Sequence, residues 1–296
     1  MKFGVCLPHY GQTFSLSSVR KVAIESERLG YDSIWVTDHI LFQPMIGEPY
    51  HRIFESLTTL AYLASVTKRV KLGISSLILP MRNPIIATKQ LATIDVLSGG
   101  RLIVAVAAGW NEKEFSELGS NFHDRGRRLD ESIQLLRALW EGKPEFQTEH
   151  IVQHFQNASL EPRPIQKKLT ILIGGNSPAA MKRVVRFGDG WHPTGYDPDV
   201  ATGLVKQFRI LSGSERKEIC FRIERDAKSS EAKPWLGKRN QPLISGDRNE
   251  DTRIVQGFTK LGIQRLLLCP ASDGNVPVQF QLKQLREFAH EFINKH

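Results

Sequence analysis

Residues that could take part in catalysis follow a short apolar segment near the N-terminus. Asp38 and His39 come directly after the segment at 33–37, which reads Ser-Ile-Trp-Val-Thr. A carboxylate beside an imidazole is suited to proton transfer, because histidine changes its charge near neutral pH. The pair could equally serve the fold, with Asp38 capping a turn and His39 packing locally. The residue types alone leave both possibilities open.

A second group of candidate residues combines a glycine turn with the start of a helix. Gly174 and Gly175 permit close backbone approach, Ser177 can be an N-cap, and Pro178 fits the first helical position before Ala180. Backbone N–H groups that have no partner in the first turn form an anion site. The pattern therefore indicates a possible phosphate site, although such turns also occur without a ligand.

Two further apolar segments carry polar residues. Ser75 and Ser76 lie inside the third segment, where buried hydroxyls need hydrogen-bond partners. Asn111 follows the fourth segment, and Glu114 comes three residues later. This spacing predicts a capping pair at the start of a short helix.

Short apolar segments that alternate with helical periodicity provide the elements that would position these residues. The predicted strands are at 2–7, 33–37, 70–77, 102–108, 170–173, 190–193, 219–223 and 265–269. The predicted helices are at 17–29, 56–67, 84–97, 125–140, 178–187, 200–211, 251–261 and 280–293. Regular alternation without a break in composition predicts an α/β protein, a single (β/α)8 TIM barrel over residues 1–296. In such barrels the active site lies at the C-terminal ends of the strands.

Two regions depart from this alternation. Residues 141–168 are Pro-rich and contain a β-rich stretch, which predicts a hairpin and loop inserted between barrel units four and five. Residues 212–242 show weak periodicity, so the sequence defines that region poorly.

Composition and charge limit the class of protein. The 296 residues carry a net charge of +9, which favours anionic partners such as phosphate-bearing cofactors. The basic residues are scattered and interleaved with acidic ones, so no nucleic-acid site is predicted. Neither a membrane-spanning stretch nor a signal peptide is recognisable, which predicts a cytoplasmic protein. Cys6, Cys220 and Cys269 lack metal-site spacing, and the sequence predicts no metal centre.

Several motifs in the same order resemble the luciferase-like superfamily of bacterial flavin- and deazaflavin-dependent oxidoreductases. The resemblance runs from residue 2 to about 195 and resumes near Pro242. It is carried by the segments 29–39 (LGYDSIWVTDH), 92–102 (ATIDVLSGGRL), 109–111 (GWN), 125–131 (RGRRLDE) and 173–180 (IGGNSPAA). The pattern is most similar to the branch that uses coenzyme F420, a deazaflavin that transfers hydride.

The resemblance implies roles for matching residues. Asp38 and His39 would lie by the reactive edge of the cofactor ring, with His39 as the proton donor or acceptor. Ser75 and Ser76 match the place where family members carry a non-proline cis peptide beneath the ring. Asn111 would contact the cofactor, and its phosphate would be held by the remaining candidates, Gly174, Gly175, Ser177 and Ala180. The region after Trp140 would partly cover the pocket.

The residues and the resemblance are compatible with three functions. The first is hydride transfer between coenzyme F420 and a small organic substrate. The second is a two-component monooxygenase that uses reduced FMN and oxygen, with a separate reductase as partner, and the third is a non-catalytic flavin-binding protein. The resemblance also implies a homodimer that pairs through the helix after the second strand, which carries Leu57, Leu60, Ala61, Leu63 and Ala64. His9, Tyr10 and His192 fall at the same strand ends without an assigned role.

Overall fold

Strands and helices alternate along the chain in the computed structural model. It describes residues 1–11, 14–43, 50, 52–149, 152–154, 158–195, 198–223, 248–270 and 276–294. The strands are β1 (Lys2–Cys6), β2 (Ser33–Val36), β3 (Lys71–Ile78), β4 (Leu102–Ala107), β5 (Glu145–Gln147), β6 (Val152–His154), β7 (Ile171–Gly174), β8 (Gly190–His192), β9 (Thr194–Gly195), β10 (Glu218–Ile223) and β11 (Arg265–Leu268).

The helices follow the strands. They are α1 (Leu16–Arg28), α2 (Ser56–Val66), α3 (Pro84–Leu97), α4 (Glu112–Glu117), α5 (Arg125–Glu141), α6 (Pro178–Phe187), α7 (Pro198–Ser212), α8 (Arg248–Lys260) and α9 (Val278–Phe292), with one 3₁₀ turn at Leu79–Met81. Local signals set several helix starts. Ser15 caps α1 by accepting from the N–H of Ser18, and Asn83 caps α3 ahead of a proline.

Eight parallel strands close into a barrel. Their order is β11-β1-β2-β3-β4-β7-β8-β10, and β10 pairs in turn with β11, which joins the last strands to the first. The predicted TIM barrel is confirmed. Both faces of the strands are buried, which explains why the sequence shows continuous apolar segments rather than simple alternation.

The barrel interior is a separate core from the layer between strands and helices. Its buried residues come from alternate positions of the strands, as the pleat requires: Cys6, Trp35, Ile103, Ala105, Leu172, Cys220, Leu267 and Cys269. Trp35 fills the centre because Gly73 leaves space for it. A Cβ on Gly73 would lie 2.2 Å from the indole ring. All three cysteines are therefore buried small side chains, and none forms a disulfide.

The structure describes the two irregular regions to different extents. β5 and β6 pair antiparallel between α5 and β7, within the region at 141–168. Much of the weakly patterned region at 212–242 falls outside the described residues, as do residues 150–151 and 155–157 in the first region. No helix among the described residues is long and apolar enough to cross a membrane.

Candidate functional site

The C-terminal ends of neighbouring strands bring the candidate residues to one mouth of the barrel. Asp38 and His39 follow β2, Ser75 and Ser76 lie in β3, Asn111 follows β4, and Gly174 ends β7. These four strands are consecutive in the sheet. Residues from distant parts of the sequence consequently meet at this mouth.

His39 is held by a buried carboxylate that the local sequence does not reveal. Nδ1 of His39 lies 2.8 Å from Oε2 of Glu114, and both side chains are buried. The other oxygen of Glu114 accepts from the N–H groups of Ile40 and Leu41, at 2.6 Å and 3.3 Å. Since a carboxylate only accepts, Nδ1 carries the proton and Nε2 is left to exchange one. Within the described residues, Nε2 has no hydrogen-bond partner.

Aromatic rings surround the imidazole of His39. Its ring centroid lies 4.7 Å from that of Phe42, 4.8 Å from that of Tyr50 and 6.0 Å from that of Trp110. Trp110 keeps 42% of its surface exposed, which is unusual for so large a ring. An exposed aromatic ring beside an oriented histidine suits the binding of a planar or apolar group.

Asp38 makes its contacts within the protein. One carboxylate oxygen accepts from Ser56 Oγ at 2.7 Å and from Arg82, and the other accepts from the N–H of Ile78 at 2.9 Å. Asp38 thus ties the end of β2 to the start of α2 and to the end of β3. The carboxylate fixes the strand ends that carry His39, and its oxygens already have donors.

Asn111 has an amide that its protein surroundings leave unsatisfied. Nδ2 of Asn111 is buried and has no hydrogen-bond partner among the described residues. The predicted capping pair with Glu114 is wrong, because Asn111 makes no side-chain cap bond and Glu114 binds His39 instead. A buried donor without a partner costs about 1–3 kcal/mol, so this amide is a natural contact for a ligand acceptor.

Ser75 belongs to a buried polar network beneath the mouth. Its hydroxyl lies 2.7 Å from Nε2 of His192, and Nδ1 of His192 lies 2.7 Å from the carbonyl oxygen of Cys220. Because that carbonyl only accepts, Nδ1 is the donor and Nε2 accepts from Ser75. Burial, and to a smaller extent the charges of Arg222 and Arg265, lower the pKa of His192 to about 3. His192 is therefore a neutral hydrogen-bonding group.

Arg222 completes this network. Its Nη1 donates to Thr37 Oγ1 at 3.1 Å and to the carbonyl oxygen of Ser75 at 2.9 Å. The peptide bond between Ser75 and Ser76 is cis, as the family resemblance predicts. Nε2 of His9 accepts from the N–H of Thr37 at 2.9 Å, and burial lowers the pKa of His9. His9 and His192 thus serve as structural partners.

The start of α6 has the geometry of an anion site. Ser177 caps the helix by accepting from the N–H of Ala180, and Pro178 follows. Gly175 has φ +117°, a conformation that favours glycine, and a Cβ on Gly174 would lie 2.5 Å from Ser76 Oγ. The first-turn N–H groups of a helix that lack a cap are available to a ligand such as phosphate.

These observations fit a phosphate-bearing flavin or deazaflavin. The unsatisfied amide of Asn111 offers a donor inside the mouth, and the first turn of α6 offers backbone donors at its edge. Among the described residues no group of acidic, histidine or cysteine side chains could hold a metal ion.

Three residues of the site are not predicted from the sequence. The local spacing predicts Glu114 as part of a cap, and the sequence pattern assigns no role to Arg82 or Arg222. One signal was available for Arg222, because a charged residue stands inside the apolar strand β10 and must face a polar partner if it is buried. Arg82 stands in a short turn between two apolar stretches, and Glu114 stands in a polar segment. Neither has a local signal, and only long-range contacts distinguish them.

Comparisons with known proteins identify relatives of this chain. A family model described as luciferase-like monooxygenase matches residues 1–218. An FMNH2-dependent dimethylsulfone monooxygenase of Pseudomonas fluorescens is 30% identical over 264 residues, which covers 86% of this chain and 68% of that protein. An F420-dependent glucose-6-phosphate dehydrogenase of Amycolatopsis mediterranei is 32% identical over 185 residues, or 61% of this chain and 54% of that protein.

The fold has a close counterpart among solved structures. An F420-dependent secondary alcohol dehydrogenase, solved in complex with an F420-acetone adduct, superposes with a TM-score of 0.76 and covers 97% of each chain. Its sequence identity of 19% relates the two proteins by fold. The relatives together include both F420-dependent and FMN-dependent enzymes.

Proposed function

This chain belongs to the luciferase-like monooxygenase family, and from that premise we propose that it is an oxidoreductase that uses coenzyme F420 to transfer hydride to or from a small organic substrate. The observation that carries the proposal is the contact between Nδ1 of His39 and Glu114. It holds one ring nitrogen and directs the other, Nε2, toward exchange of a proton.

The proton has a defined place in such a reaction. Coenzyme F420, when bound, supplies or accepts the hydride at carbon. Removing hydride from an alcohol carbon also requires that a proton leave its oxygen, and the reverse reaction returns that proton. Nε2 of His39 accepts or donates it, and the carboxylate of Glu114 stabilises the ring when it carries both protons.

Other residues would hold the cofactor. Asn111 would donate its Nδ2 hydrogen to an acceptor on the cofactor, which would supply the missing partner of this buried amide. Gly174 and Gly175 would let the phosphate approach the start of α6, where the N–H groups of Ser177 and Ala179 would bind it, because the N–H of Ala180 donates to Ser177 Oγ and Pro178 has none. Ser75 and Ser76 would contact the ring system, and Asp38 positions the strand ends through Ser56 and Arg82.

A second candidate function is an FMNH2- and oxygen-dependent monooxygenase supplied by a separate reductase. One finding favours it: the relative that covers 86% of this chain is named as an FMNH2-dependent monooxygenase. The same residues would hold FMN, since both cofactors carry a phosphate and a tricyclic ring. The two functions differ in the use of oxygen.

A titration with both cofactors tests the proposal. Oxidised and reduced coenzyme F420 and FMN are added separately while tryptophan fluorescence is recorded. We expect saturable quenching by F420 at micromolar concentration, through Trp110, because this indole is exposed near His39 whereas Trp35 and Trp191 are fully buried. The control variant Trp110→Phe should lose most of the fluorescence signal, and ultrafiltration measures separately how far the indole contributes to affinity.

The outcomes separate the candidate functions. Binding of FMN alone, followed by oxygen consumption when reduced FMN and candidate substrates are supplied, supports the monooxygenase. Absence of saturable binding for both cofactors rules out both proposals.

We also propose a homodimer, with a different surface from the one expected. The α2 residues Leu57, Leu60, Leu63 and Ala64 are buried against their own barrel, so they cannot form the contact. The neighbouring helix α3 exposes the apolar side chains of Ile86 and Leu97, each 59% accessible. Eleven positions separate these two residues, which places them on one face of the helix. We assign the contact to this face.

A further inference from the structure

Two cysteine thiols meet at the seam that closes the barrel. The thiol of Cys269 donates to Sγ of Cys6 over a distance of 2.8 Å. β1 and β11, the first and last strands of the barrel, pair in parallel with Val5 opposite Leu268. Cys6 is the last residue of β1, and Cys269 directly follows β11. Neighbouring strands lie about 4.7–4.9 Å apart, within the range of backbone separations that a disulfide spans.

The surroundings of the pair distinguish it from the third cysteine. Cys6 and Cys269 each keep 4% of their surface exposed near the mouth of the barrel, whereas Cys220 on β10 is fully enclosed. Burial and the contact with Cys269 raise the pKa of Cys6, and the charge of Arg222 opposes this rise. Burial also raises the pKa of Cys220 well above its ordinary range. The raised pKa keeps Cys6 mostly in the thiol form, so its oxidation should be slow, but a second thiol is already in contact to complete the disulfide.

We propose that Cys6 and Cys269 are a redox-modification site, at which hydrogen peroxide converts the two thiols into a disulfide that covalently joins the first and last strands of the barrel. The required movement is small. The sulfur atoms must approach from 2.8 Å to the bonded distance of about 2.05 Å. Neither residue belongs to the cofactor or proton-transfer site, so the modification is separate from the proposed reaction.

The chemistry balances with peroxide as the oxidant. Cys6, as its thiolate, attacks one oxygen of hydrogen peroxide, which breaks the O–O bond and leaves a sulfenic acid and one water. The sulfur of Cys269 then attacks the sulfenic sulfur and displaces the second water. The two thiols lose two electrons and two protons in total, and one peroxide becomes two waters. A thiol reductant reverses the reaction by exchange.

The disulfide would have a measurable effect on stability. It closes a loop between residues 263 positions apart, which restricts the unfolded chain far more than the folded one. We expect the oxidised protein to melt several degrees higher than the reduced protein. A disulfide in a strained or mispaired position would lower the melting temperature instead.

Peptide mapping of the oxidised protein tests the site directly. The purified protein is treated with hydrogen peroxide, its remaining thiols are blocked under denaturing conditions, and it is digested without reduction. We expect the reactive thiols to fall from three to one and a single cross-linked species that joins the peptides containing Cys6 and Cys269. Dithiothreitol should restore all three thiols and the original melting temperature.

Single variants provide the controls. Cys220→Ala should keep the cross-link and the rise in melting temperature, whereas Cys6→Ala and Cys269→Ala should lose both. If a variant fails to fold, peptide mapping of the unaltered protein still tests whether Cys6 and Cys269 form the disulfide. Three thiols remaining after peroxide treatment, or a cross-link that contains Cys220, overturns the proposal. Cofactor titration of the reduced protein is independent of this result.

Discussion

Nδ1 of His39 lies 2.8 Å from a carboxylate oxygen of Glu114, a residue 75 positions later in the chain. The two side chains come from the ends of β2 and the helix after β4, which the barrel brings together. A buried imidazole is held in one orientation and one tautomer by this contact. The pair leaves Nε2 as the ring nitrogen at which the proposed proton exchange would take place.

Removing the imidazole should affect turnover far more than folding. His39→Ala is expected to lower the rate of the chemical step by about 10²- to 10⁴-fold, the usual contribution of a general acid or base. Single-turnover kinetics with the bound cofactor measure this rate, and thermal melting measures stability. His39→Asn, which can still donate to Glu114 but cannot exchange a proton, should be equally slow. A destabilised protein with normal turnover per folded molecule would contradict the assignment.

Glu114 should act through His39. Glu114→Gln is expected to lower kcat with little change in KM, because the amide can offer a hydrogen to Nδ1 and so favour the wrong tautomer. In a double-mutant cycle, Glu114→Gln should have no further effect on turnover once His39 is alanine. Independent, multiplicative losses in the double variant would show that Glu114 does not act through the imidazole.

The phosphate contact can be tested at the glycine turn. Gly175→Leu should weaken cofactor binding on the order of tenfold or more, or about 1.4 kcal/mol, because its φ of +117° disfavours a side chain and the approach of the phosphate is obstructed. Equilibrium titration measures the affinity. The matched control is Gly203→Ala in α7, where an added Cβ meets nothing within 4 Å. Unchanged cofactor affinity in Gly175→Leu would show that the phosphate does not bind at this glycine turn.

His192 should make the protein less stable in acid. Its pKa of about 3 in the folded state lies below its ordinary value of 6.5. Between these two values the unfolded chain binds more protons than the native one, so stability falls as the pH is lowered through this window, by up to about 1.4 kcal/mol per pH unit. Denaturant unfolding at pH 7.5 and pH 5 measures the loss.

A variant at this position isolates its contribution. His192→Gln replaces the ring with a group that does not titrate, and the difference in unfolding free energy between the two pH values should shrink. If the variant loses as much stability as the unaltered protein, the acid sensitivity originates from other groups, of which His9 is the first to test because burial lowers its pKa too.

The dimer contact on α3 can be tested by charge. Ile86→Glu and Leu97→Glu should shift sedimentation toward the 33.5 kDa monomer, because a charge at an apolar contact loses its hydration without gaining a partner. Ile210→Glu on α7 is the control, since this residue is exposed but lies on another helix. If the unaltered protein sediments as a monomer, the proposed dimer is contradicted. If all three variants shift the sedimentation equally, the dimer contact is not on α3.

The sequence by itself determined the barrel and most of its elements. The strand predicted at 33–37 is β2 at Ser33–Val36, and the helix predicted at 178–187 is α6 at Pro178–Phe187. These predictions succeed because burial patterns, caps and prolines act on residues close together in the chain. The motif at the start of α6 likewise names Ser177 as the N-cap, which the structure bears out.

Only the tertiary structure decided which partner each polar side chain has. The spacing of Asn111 and Glu114 satisfies a local capping rule, yet Glu114 binds His39 and the amide of Asn111 is left unsatisfied. Cys6 and Cys269 are equally uninformative in sequence, since 263 positions separate two thiols that touch across the seam. Barrel closure sets these distances, and closure is a property of all eight strands together, so no local pattern contains it.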